Sequence, residues 1–176
     1  MFSIHTAQAQ PFPALEQMNG KWLKMNGSVN GWLVTAYQAD VQPEKLNAPL
    51  SSMYACVYYF PGSTSANLEI SDHKGIQIGI GSLTYDGGTV DQWLAYMSLS
   101  LDSKGDYTAN GDDITLWAYG LAKMKNGAEK GSFNSYGMNG YIDNAAEYGN
   151  LGGKLKAKIV DKVPWDGGTC RGYEPL

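Results

Sequence analysis

The chain has 176 residues and a formal charge of −4, with 13 Lys and Arg against 17 Asp and Glu; that is room for one domain with its own core, and no basic excess to neutralise a phosphate backbone, so nucleic-acid binding is not expected. Apolar residues make up 43% and charged residues 17%, below the roughly 25% charged of an average soluble domain, and 22 Gly with 12 Tyr fill the deficit in a way that suits turn-rich β-structure and argues against disorder. Arg171 is the only arginine, which excludes anion clamps built from several guanidinium groups, and no apolar run approaches the ~18 residues that span a bilayer.

Residues 1–18 carry Pro11 and Pro13 and no periodic pattern beyond one helical turn expected over Ala14 to Met18, so they read as an N-terminal arm. Met1 to Ala9 is too short and too polar for a complete signal peptide, but Ala7-Gln8-Ala9 has the small-x-small form of a cleavage site and reads as a signal-peptide remnant. The expected location is periplasmic or secreted.

Residues 19–162 read as one β-domain of period-two segments joined by turns and loops. Trp22 to Met25 and Gly31 to Ala39 read as two strands, with the Asn-Gly pairs of Asn26-Gly27 and Asn30-Gly31 as the hairpin signal between them. Asn26-Gly27-Ser28 is formally a glycosylation sequon, and the turn is the preferred reading. Residues 40–50, with two prolines and no alternation, read as the longest early loop. Ser52 to Phe60, Asn67 to Ser71 and Ile76 to Tyr85 follow as short strands, turned at Pro61-Gly62-Ser63 and at Asp72-His73-Lys74-Gly75.

The two longest expected strands are Val90 to Leu101 and Asp113 to Met124. In the first, Trp93, Ala95, Met97, Leu99 and Leu101 share the inward face, opposite Gln92, Tyr96, Ser98 and Ser100. In the second, Ile114, Leu116, Ala118, Gly120, Ala122 and Met124 face inward, opposite Thr115, Trp117, Tyr119 and Lys123. Ser132 to Asp143 is a strand whose Gly137 and Gly140 mark a bend or bulge. A polar, Gly-rich connection over 144–153 then leads to Leu155 to Val160, where apolar residues alternate with lysines. Residues 163–176 form an irregular tail.

About nine or ten short strands joined by tight turns, with no crossover helix and no repeat, predict an all-β fold: a closed antiparallel up-and-down β-barrel of roughly eight to ten strands, since closure removes unpaired edges. Cys56 and Cys170 are the only cysteines and lie too far apart in sequence for a CxxC site. They are either two inert thiols or one disulfide; the disulfide, which presupposes an oxidising compartment, is the expected state and would tie the tail to an early strand.

Gly20-Lys21-Trp22, after a Pro-bearing lead and at the start of the first strand, resembles the first motif of the lipocalins and the wider calycin superfamily, in an outlying bacterial-type form. The resemblance implies a barrel in which Trp22 plugs one end beneath a cationic side chain, for which Arg171, Lys156 and Lys158 are the candidates. The family's middle Thr-Asp-Tyr motif has no match; Thr84-Tyr85-Asp86 holds the same residues in another order.

Candidates for chemistry are sparse. His5 and His73 form no metal pair, and the Asp-rich turns at Asp102 to Asp106 and Asn110 to Asp113 lack the spaced calcium-loop pattern. No metal and no cofactor is expected. The function that follows is non-enzymatic binding of a small hydrophobic or amphipathic molecule, in a cavity lined by Trp32, Met53, Tyr59, Trp93, Met97, Leu116, Met124 and Tyr136, at the end away from Trp22. Two alternatives remain open. One is a small isomerase, cyclase or decarboxylase using a tyrosine with a carboxylate, such as Tyr58 or Tyr96 with Glu69 or Asp91. The other is a carbohydrate-binding β-sandwich whose outward Trp and Tyr form a stacking platform.

Overall fold

The computed structural model describes residues 14–35, 44–85, 92–101, 112–124, 131–143 and 147–176. A single 3-10 turn, Leu15–Met18, is followed by eight strands: β1 Trp22–Thr35, β2 Glu44–Tyr58, β3 Ala66–Ser71, β4 Gln77–Tyr85, β5 Gln92–Leu101, β6 Asp112–Met124, β7 Gly131–Asp143 and β8 Glu147–Val160. Each pairs antiparallel with the next, and β1 also pairs with β8, so the curled sheet returns to its own first strand.

The register can be followed from strand to strand. Stepping between directly opposite residues, from Trp22 through Cys56, Glu69, Ile80, Ser98, Thr115, Tyr141 and Asn150, returns to β1 at Trp32.

Three expectations are corrected by the strand boundaries. Asn26 to Gly31 is not a hairpin turn: β1 runs straight through it. The Asn-Gly signal marks a bulge instead. The pairing slips between Met25↔Met53 and Gly27↔Leu50, Ser52 takes φ 56°, and its N–H donates to Asn26 Oδ1 at 3.1 Å. A Cβ at Gly27 would fall onto the Lys154 carbonyl of β8, so only glycine fits that close approach. Residues 44–50, expected in a loop, form the first half of β2; Pro49 pairs with Ser28 in a half of the strand that has no β3 partner among the described residues, so it sits as on an edge strand. Residues 147–153, expected in a connection, belong to β8, paired to β1 along its whole length. Merging those segments reduces the expected nine or ten strands to eight among the described residues.

The expected turns over 86–88, 102–112 and 126–131 lie wholly or mainly outside the described residues. The turn after β3 is described. Asp72 accepts from the N–H groups of Lys74 (2.8 Å) and Ile76 (2.9 Å), and Gly75 supplies the positive φ of 84° that the turn demands.

The inward residues of the strands whose side chains are described build one apolar core. Leu23, Met25 and Val29 of β1, Met53, Ala55 and Val57 of β2, Leu68 and Ile70 of β3, Trp93, Ala95, Met97 and Leu99 of β5, and Ile114, Leu116 and Ala118 of β6 are all buried in it. These are the faces that period-two alternation predicts for β5 and β6. Met18 and Leu15 of the 3-10 turn join the same cluster from below β1. The outer phase of β8 carries exposed Lys154, Lys156 and Lys158. A membrane-spanning barrel shows the reverse polarity, apolar outside and polar within. Among the described residues no helix is long and apolar enough to cross a membrane.

Candidate ligand-binding interior and its clasped rim

Because the strands run up and down, β1, β3, β5 and β7 begin at one rim, where β2, β4, β6 and β8 end. On the β1 to β3 side that rim is held by the C-terminal tail. Cys56 of β2 and Cys170 are joined in a disulfide, as expected. Beside it, Asn19 makes three hydrogen bonds: its Oδ1 accepts from the N–H of Tyr59 (3.0 Å) and of Tyr173 (2.7 Å), and its Nδ2 donates to the Tyr173 carbonyl (2.9 Å). Gly20 follows with φ 75° and donates to the Val57 carbonyl. Gly172, with φ 68°, lies so close to Asn19 and Gly20 that a Cβ there would overlap both. One asparagine therefore fastens the lead, the end of β2 and the tail together.

The sequence-predicted residues divide between two faces. Leu23 and Met25 point inward, so Trp22 and Lys24, one step out of phase, lie on the outer face. Trp22, expected to plug the barrel end, is half-buried there against Trp165 of the tail, ring centroids 5.5 Å apart and nearly perpendicular. Trp165 also meets Tyr54 edge-on at 5.4 Å, and Lys24 Nζ sits 5.9 Å from the Tyr54 ring centre. The cation candidates Arg171, Lys156 and Lys158 are exposed.

Met53, Trp93, Met97 and Leu116 are brought together in the core, and Tyr59 packs against it at the clasped rim, its hydroxyl donating to the Ser63 carbonyl at 3.0 Å. Trp93 begins β5 and therefore lies near the rim where β1 starts, not at the opposite end. Trp32 pairs with Lys45 and Asn150. Met124 pairs with Gly131 at the end of β6, and Tyr136 falls at the bulge where β6–β7 pairing slips between Tyr119 and Gly120. The side chains of Trp32, Met124 and Tyr136 lie outside the described residues.

Rows across the interior alternate in size. Ala66, Leu83, Ala95 and Ala118 are directly opposite one another along β3 to β6, and three of the four are alanine. On one side of this short row stands Trp93, facing Gly120; on the other stand Met97 and Leu116, facing Gly81 and Gly140. A patch of small side chains thus lies between an indole and two long aliphatic chains, all buried and none charged.

One tyrosine–carboxylate pair of the enzyme alternative is described. Tyr58 is hydrogen-bonded to Glu69; burial, with the carboxylate's charge and hydrogen bond adding to it, raises the phenol's pKa above its ordinary value. Yet Cα partners Cys56 and Glu69 sit on the outer face, and Glu69 is exposed. Asp91 and His5 lie outside the described residues, as do the Asp102 to Asp106 and Asn110-Gly111 turn segments. Among the described residues no three His, Cys, Asp or Glu side chains gather as a metal would require.

Sequence reading missed Asn19 and Trp165. The available signals were an Asn before a Gly at the start of the first strand, and a bulky aromatic in an otherwise polar tail that also bears the second cysteine. No family model matches the chain, and neither a curated protein nor a solved structure resembles it.

Proposed function

We propose that the chain is a non-enzymatic binding protein that holds a small hydrophobic or amphipathic molecule inside a lipocalin-like barrel. The observation that carries this reading is the alanine row of Ala66, Ala95 and Ala118 between Trp93 and the Met97–Leu116 pair, in an interior with no charged residue among the described ones. A flat or acyl group lying on the alanines would be bounded by the indole at one side and by flexible methionine at the other. Methionine adapts its rotamers at low cost, so such a wall accepts related ligands without being rebuilt. An eight-stranded barrel is wide enough for one such molecule and no more.

The Cys56–Cys170 bridge supports an oxidising, extracytoplasmic location, because such bonds persist there and are rare in reducing compartments. The placement of Glu69 and Tyr58 outside the barrel weighs against an enzyme built on that pair. Titration with a fluorescent apolar probe, 1-anilinonaphthalene-8-sulfonate or a conjugated polyene fatty acid, tests the reading. Saturable one-to-one binding that a Met97→Trp or Ala95→Phe substitution abolishes supports it. Binding that survives both fillings removes the interior as the site.

A further inference from the structure

The outer surface is unevenly charged. On β8, Lys154, Lys156 and Lys158 are exposed on alternate residues, and Lys24 of β1 is directly opposite Lys158. On the β1 side Lys156 is opposite Asn26 and Lys154 is opposite Ser28; on the β7 side the register partners are Asn134 for Lys156 and Ser132 for Lys158. Lys24 is in turn opposite Tyr54, with its ammonium 5.9 Å from the centre of that ring. No carboxylate is paired in register with any of the four, and among the described residues none of them makes an ion pair.

Like charges directly opposite one another on a sheet face are destabilising, and a face that only had to stay wet is served as well by Lys–Glu pairs. Acids are not scarce in this chain, with 17 Asp and Glu against 13 Lys and Arg. Four ammonium groups gathered without a counter-charge are therefore a cost that no described contact within the chain offsets. An anion from outside offsets it.

Spacing and flanking groups select the kind of anion. Alternate residues of a strand lie ~6.8 Å apart, so the three lysines of β8 form a row about 14 Å long, with Lys24 beside one end. Duplex DNA carries one charge per ~1.7 Å, a density that four lysines on a chain of net charge −4 do not match. Beside Lys154 and Lys156, β1 offers no aromatic ring to stack a base and no apolar side chain to enter a bilayer; it offers a hydroxyl and an amide. Asn26 Oδ1 already accepts from the Ser52 N–H, which leaves Nδ2 to donate outward. A linear polysaccharide with one carboxylate or sulfate on every sugar or every second sugar fits both features: spaced anions meet the lysines, and ring hydroxyls meet Asn26 and Ser28. Lysine, a point charge without the fixed fork of arginine, accepts either anion.

We propose that the lysine row of β8, with Lys24, Asn26 and Ser28 of β1, is a binding site for a linear acidic polysaccharide. It is independent of the barrel interior, and the two can be tested separately.

The test is salt-gradient elution of the intact, oxidised chain from immobilised polygalacturonate and from immobilised heparin, with laminarin, single-stranded DNA and phosphatidylglycerol vesicles as comparators. Retention on at least one acidic polysaccharide is expected, lost as salt rises, with none on neutral laminarin. Lys154→Gln/Lys156→Gln should weaken the affinity roughly tenfold, Lys156→Arg less than about threefold, and Lys74→Gln, which removes a charge from the exposed β3–β4 turn, not measurably. The substituted side chains are exposed, so these variants retain the core and its near-ultraviolet circular dichroism. Lys158→Gln should weaken retention while leaving the urea midpoint unchanged or higher, because it relieves the like-charge pair with Lys24. No retention on either acidic polysaccharide, retention unaffected by the double variant, or a lower midpoint in Lys158→Gln overturns the proposal. So does tighter binding to the DNA or to the vesicles than to both polysaccharides.

Discussion

Removing the Asn19 side chain isolates the clasp from the rest of the fold. In Asn19→Ala two backbone N–H groups, of Tyr59 and Tyr173, and the Tyr173 carbonyl lose their partner at once. All three bonds are part-buried, so each loss is set at about 1 kcal/mol, and the variant is expected to be destabilised by ~3 kcal/mol. In a chain of this length that corresponds to a fall in Tm of roughly 6 to 12 °C. Urea unfolding followed by tryptophan fluorescence reads it directly, with the midpoint falling and the slope unchanged. Asn19→Asp keeps an acceptor for the two N–H groups but sets a carboxylate oxygen against the Tyr173 carbonyl, so it should lie between Ala and wild type. If Asn19→Ala unfolds within ~0.5 kcal/mol of wild type, the range of an ordinary surface change, the tail is not fastened through this residue.

Three further outcomes follow from the same region. Cys56→Ser/Cys170→Ser opens a loop with a sequence separation of 114 and should cost about 5 kcal/mol on the chain-entropy account, measured as the shift in urea midpoint against the oxidised protein. Trp165→Ala removes two edge-on ring contacts, to Trp22 and Tyr54, and should cost roughly 1 to 3 kcal/mol while making Trp22 more accessible to acrylamide quenching. Tyr58 has a folded pKa raised above its ordinary value of 10.0, chiefly by burial. The folded protein thus holds that proton more tightly than the unfolded chain, so its contribution to stability is complete below pH 10 and is lost as pH rises through the folded pKa. Ultraviolet titration of Glu69→Gln should move the Tyr58 pKa down but leave it above the ordinary value, because burial remains.

The inward faces of β5 and β6 are legible in the sequence because Trp93 to Leu99 and Ile114 to Ala118 alternate cleanly and few other forces act on a half-buried strand. The bulge at Asn26 and Ser52 is not, because an Asn-Gly pair serves a two-residue hairpin and a close strand approach equally well; only the Lys154 carbonyl opposite Gly27 decides between them. Pro49 and the glycines of β8 read as breakers for the same reason: local propensity is overridden by pairing to β1 on the other side of the ring. Trp22 was legible as a position and not as a role. Its phase relative to Leu23 sets it outward, and the partner that covers it, Trp165, arrives from the far end of the chain.

The central claim is that the barrel interior at Ala66, Ala95 and Ala118 receives a ligand. Its most direct measurement is a crystal structure of the protein soaked with a brominated fatty acid, read by anomalous scattering from the bromine. The account places the halogen inside the ring, within van der Waals reach of Trp93, Met97 or Leu116. Bromine found only on the outer face, with those side chains closed over the alanine row, would contradict it.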